Sequence, residues 1–100
     1  MFEKLEQLIL EWADAKGIML GSDPLAQFGK TDEEVTELYE AVMTDNKDEI
    51  KDAIGDIIVT LIVQANMQGF TINECVQHAY NIISKRTGKM ANGVFVKDDN

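Results

Sequence analysis

Residues 47–68, KDEIKDAIGDIIVTLIVQANMQ, decide the fold. Ile50, Ile54, Ile57, Leu61 and Ala65 recur at helical spacing, which predicts one long helix with that stripe turned inward. Beyond Gly55 the same segment is apolar nearly all round, since Val59 and Val63 lie on a second side. A helix of that kind is covered on both sides, so a partner subunit is expected over Val59 and Val63. Asp56 opens this apolar zone and is expected to be buried, where an unpaired carboxylate is costly.

Working outward, Gly69 is a natural stop, and Thr71 with Glu74 forms a capping box that opens a further helix with the stripe Ile72, Cys75, Val76, Ala79 and Ile83, ending near Arg86. Upstream, Thr31 and Glu34 have the same capping-box spacing, and Val35, Leu38, Tyr39 and Val42 carry a helix to about Thr44. Phe2 to about Lys16 supplies the first helix through Phe2, Leu5, Leu8, Ile9, Trp12 and Ala13. Residues 17–30 read as a loop that begins a helical turn near Ala26, and TGKMANGVFVKDDN as a tail or extended arm. The fold expected is all-α: a four-helix bundle over residues 1–100, one domain, with a short C-terminal arm, assembling as a dimer or tetramer.

The chain has 100 residues, a net charge of −9 and one cysteine. That charge disfavours binding to duplex nucleic acid or to an anionic membrane surface, because both carry the same sign. Its longest apolar run is too short to cross a bilayer, its first residues lack the order of a signal peptide, and its lone cysteine forms no internal disulfide; a cytoplasmic location is expected. Cys75 and Trp12 read as core residues and His78 as a surface or boundary residue.

The chemistry-bearing pattern is acidic. Glu34 and Glu37 are three apart on one helix, and Asp52 and Asp56 four apart on the next, so each pair shares a face and two acidic ridges can converge. Oxygen donors without a His or Cys cluster suit Mg²⁺, with Mn²⁺ as a substitute. Glu33, Glu40 and Glu49 read as a solvated face. Four of the nine basic residues, Lys85, Arg86, Lys89 and Lys97, fall near the end of the chain, where they serve either a helix C-terminus or an anion.

The segments AQFGKTDEEVTELYEA (26–41), EIKDAIGDIIVTLI (49–62) and AYNIISKRTGKMANGVFVK (79–97) resemble the MazG-like all-α nucleoside triphosphate pyrophosphohydrolases, in particular short, phage-type relatives. The resemblance implies Mg²⁺-dependent cleavage of a nucleoside triphosphate to the monophosphate and pyrophosphate. It also implies metal binding by Glu34, Glu37 and Asp56, with Glu33, Glu34 and Glu37 as the catalytic carboxylates and Glu33 beside the site. Lys30, Asn81 and Arg86 would touch substrate, with Lys85, Lys89 and Asn92 as further contacts and Gln27 near the base or sugar. The family's second motif is E-x-x-D, and here Ala53 stands where its glutamate belongs; Asp52, on the same face as Asp56, is assigned the missing role. Two readings of another class compete: an acidic helical binding protein that mimics nucleic acid, and a purely structural helical dimer.

Overall fold

The computed structural model describes residues 2–98. Five helices and one hairpin follow in order: α1 Phe2–Ala15, α2 Ile18–Gly21, α3 Pro24–Met43, α4 Lys47–Met67, α5 Ile72–Ile83, then β1 Gly88–Ala91 and β2 Val94–Lys97. The centre is an antiparallel pair, α3 and α4, joined by a turn at Thr44–Asn46. Asn46 caps α4 by accepting from the Glu49 amide at 3.2 Å.

α3 starts seven residues before the capping box that the sequence offers at Thr31. Its true cap is Asp23, whose Oδ1 accepts from the Ala26 amide at 2.8 Å, with Pro24 as the first helical residue. Proline is suited to that position because its missing N–H is one that a helix start leaves unpaired. Thr31 therefore lies inside the helix, and its hydroxyl serves packing instead. It donates to the Thr60 hydroxyl at 2.9 Å, which donates in turn to the Ile57 carbonyl at 2.7 Å.

α4 ends at a left-handed Gly69, φ 86°, after which the Phe70 amide donates back to the Ala65 carbonyl at 2.8 Å. The chain then turns by 99° into α5. The predicted capping box is present there: the Glu74 amide donates to Thr71 Oγ1, and Glu74 Oε1 accepts from the Thr71 amide, both at 3.1 Å. A second acid, Glu6, comes from α1. Glu6 is buried, and its Oε2 accepts from the Ile72 amide at 2.7 Å, a negative charge at the positive end of the α5 dipole.

The buried apolar residues are few: Ala13, Ala41, Ala53, Ile62, Val63, Ala65 and Ile72. Several expectations of burial fail here. Val63 is covered inside the protomer, Val59 is half-buried, and Ile54 on the presumed inner stripe is 49% exposed. Cys75 and Trp12 are exposed rather than core, and Asp56 is exposed rather than buried. Helical spacing identifies the apolar sides of a helix but not which neighbour covers each one. α5 has only Ile72 buried, so most of its apolar stripe faces solvent.

The surface is correspondingly large, 7764 Å², against about 5,700 Å² for a monomer of this mass. The radius of gyration is 15.9 Å, where about 13 Å is usual for this length. Among the described residues no single helix is long and apolar enough to cross a membrane.

The arm is a β-hairpin rather than an extended tail. Its turn is Asn92–Gly93, both at positive φ, 52° and 83°, which is the backbone of a type I′ turn. Lys89 pairs with Val96 and Met90 with Phe95. The Phe95 ring lies over Gly88, where a Cβ would collide with it.

Candidate functional site

The α3–α4 pair is locked in register by polar bonds along its length. Gln27 Nε2 donates to the Thr60 carbonyl at 3.0 Å, the Thr31–Thr60 hydroxyl pair follows, and Gln64 Nε2 donates to the Pro24 carbonyl at 2.9 Å. Gln27 is buried, so its amide holds the two helices together. That bond commits its Nε2 donor to α4.

This register sets the two acidic ridges against each other. Glu37 and Glu40 of α3 and Glu49, Asp52 and Asp56 of α4 line one cleft of about 280 Å³, with Ala53 between the last two. Glu40 and Glu49 are exposed, as a solvated face requires, and also line this cleft, which only the pairing register of the helices reveals. Glu34 lies deeper. It is 8% exposed, and its Oε2 is buried without a hydrogen-bond partner.

Proton affinity reflects this crowding. The Glu34 carboxyl is held above its usual range, first by hydrogen bonding with Glu37, then by burial and the charge of Glu37, with Lys30 opposing. Asp56 is also raised, first by loss of surrounding water, then by the charges of Asp52 and Glu34, again with Lys30 opposing. Asp52 is thus near enough to Asp56 for their charges to interact, as its place beside Ala53 requires.

Lys30 stands beside Glu34 and does not itself line the cleft. Its Nζ lies 3.4 Å from Glu33 and 3.6 Å from Glu34, and these two carboxylates raise its proton affinity, Glu33 first. Glu33 is engaged at that exposed pair and does not line the cleft. Asn81, Lys85, Arg86, Lys89 and Asn92 are all exposed and none lines the acidic cleft of its own protomer. Asn81 Oδ1 accepts from Gln77, and Asn92 forms the hairpin turn.

Among the described residues no group of three or more His, Cys, Asp or Glu side chains is arranged to hold a metal ion as it stands. The donor set nevertheless suits a hard divalent cation. It is all oxygen, it comes from two facing helices, and it includes a buried carboxylate oxygen lacking any partner. A roomier cleft of about 680 Å³ between α1 and α5 draws its acids from α1 alone, so no opposing ridge faces them.

A family model, the MazG nucleotide pyrophosphohydrolase domain, matches residues 25–90. An uncharacterized 18.2 kDa protein in the rep-hol intergenic region of Haemophilus phage HP1 (strain HP1c1) is 39% identical over 64 residues, covering 61% of this chain. The match spans 39% of that relative's own length. No solved structure matches.

Proposed function

The chain belongs to the MazG nucleotide pyrophosphohydrolase family, and we propose that it cleaves nucleoside triphosphates to the monophosphate and pyrophosphate with Mg²⁺ or Mn²⁺. The observation that carries this reading is Glu34 Oε2, a buried carboxylate oxygen without a partner in a helix pair that sets Glu34 near Asp56. A buried, charged, unpaired oxygen is expensive, and a cation is the partner that removes the cost.

Glu34, Glu37, Asp52 and Asp56 would hold the metal, with Asp52 serving for the glutamate that Ala53 replaces. A cation held there supplies neutralisation of phosphate oxygens and a more acidic water. Lys30, exposed beside Glu34, would meet the phosphate chain. Glu37, which lines the cleft, would take the proton of the attacking water if the metal leaves one of its oxygens free, whereas Glu33 pairs with Lys30 outside the cleft. Asn81, Lys85, Arg86, Lys89 and Asn92 reach substrate only from another copy of the chain. The large surface and sparse core support a homo-oligomer, a dimer or a dimer of dimers.

The test is a panel of standard and modified nucleoside triphosphates with Mg²⁺, following both phosphate products. Monophosphate and pyrophosphate are expected, with activity lost on chelation and in Asp56→Asn. Orthophosphate as the first product overturns the reaction proposed.

A further inference from the structure

The hairpin 88–97 has little to hold it. Seven of its eight strand residues are exposed and Ala91 is half-buried, and its strands pack chiefly on each other. Yet it is apolar on both faces: Met90 is 66% exposed, Phe95 53%, Val94 60% and Val96 47%. A free two-stranded hairpin is marginal in water and needs a further surface to pack on.

The charge distribution indicates which surface. From residue 85 to the last residue of the sequence, four basic side chains stand against two acids, Asp98 and Asp99. Residues 2–84 carry sixteen acids against five bases. The arm is a cationic segment on an acidic body, and the body has a matching groove. Phe2, Leu5 and Ile9 of α1 face Ile58 and Val59 of α4 across about 580 Å³, and Asp48, Asp52 and Asp56, with the single base Lys51, form a net acidic edge. Apolar floor with acidic edge corresponds to apolar hairpin with basic flank. No arm residue of the same protomer lines this groove.

We propose that the hairpin is an assembly arm, its Met90–Phe95 face, which also carries Lys97, seated in the α1–α4 groove of a second copy with Lys97 against the Asp48 end of that copy's acidic edge. The area agrees. Each protomer exposes roughly 2,000 Å² more than a monomer of its mass, ample for the ~800 Å² per partner of a standard interface. A reciprocal exchange of two arms closes the pair. The inference rests on area, shape and charge, and stands whether or not the chain hydrolyses nucleotides.

The experiment uses full-length chains in a Cys75→Ser background, one carrying Lys97→Cys and another Lys51→Cys, mixed and oxidised. Both sites lie beside the apolar contacts and leave them intact. A disulfide joining unlike chains as the main product is expected; Lys97 to Lys97 linkage as the main product, or no linkage above that of unfolded chains, overturns the arrangement. Independently, Phe95→Asp and the pair Lys89→Glu/Lys97→Glu are expected to weaken association at least about tenfold in sedimentation equilibrium, with unchanged helical circular dichroism. Unaltered association in both variants also overturns it.

Discussion

Replacing Glu34 by glutamine should invert the order of stability depending on the metal. In wild type without metal, Glu34 leaves one buried carboxylate oxygen unpaired, a defect costing about 1–3 kcal/mol. Its like-charge neighbour Glu37, three residues on, adds roughly 0.2–0.5 kcal/mol. The exposed Lys30 contact at 3.6 Å returns only about 0.3–0.5 kcal/mol. Glutamine keeps the shape and removes the charge, but buries an amide in turn, so part of the penalty persists. A net gain of about 1 kcal/mol follows, a rise in Tm of about 4–8 °C for a domain of this size.

With Mg²⁺ at a hundred times its Kd, wild type gains about 2.7 kcal/mol and overtakes the variant, which gains little. Thermal melts of both proteins with chelator and with saturating Mg²⁺ read this crossing directly. The pH axis gives a second reading. The folded state raises the Glu34 carboxyl above its ordinary 4.5, so it binds that proton more tightly than the unfolded chain does. The associated stability is present below 4.5 and is lost as pH rises through the raised value. Glu34→Gln removes that fall. If the variant melts below wild type in chelator at neutral pH, or if Mg²⁺ raises both equally, Glu34 is not a buried charge awaiting a cation.

Two further outcomes follow from the same helix pair. Asp52→Asn should lower both turnover and Mg²⁺ affinity clearly, though less than Asp56→Asn, with Asp14→Asn as the control on α1; calorimetry and product release showing Asp52→Asn equal to that control would remove Asp52 from the site. Gln27→Ala removes the side-chain donor to the Thr60 carbonyl, so urea unfolding should show about 0.5–1.5 kcal/mol lost with an unchanged m-value.

Where the sequence was legible, a local rule was enough. The bounds of α4, the capping box at Thr71 and the end of α3 near Thr44 depend on caps and turns read within a few residues. The acidic pairs were found the same way, by spacing along one helix. Glu40 and Glu49 were not, because their shared cleft depends on how α3 registers against α4, and that is fixed by Gln27, Thr31, Thr60 and Gln64. The start of α3 was misplaced by a genuine competing signal: Thr31 and Glu34 have capping-box spacing, but Asp23–Pro24 begins the helix first and leaves Thr31 inside it. Asn92–Gly93 between Met90 and Val94 is a strong hairpin signal, passed over because each flank is only four residues long. Burial at Trp12, Cys75 and Ile54 fails for a different reason, since an apolar stripe does not specify whether its cover lies in the same chain.

The bond from Glu6 to the Ile72 amide joins residues 66 positions apart. Contacts between α3 and α4 close across a tight turn and cost little chain entropy, so that hairpin of helices can form early. Glu6 and Ile72 meet only after the intervening chain has been arranged, and α5 owes its single buried residue to the same place. Docking of the last helix onto the first should therefore come late in folding. The sparse packing of α5 also predicts that α5 and the hairpin beyond it exchange amide protons before the acidic helix pair does.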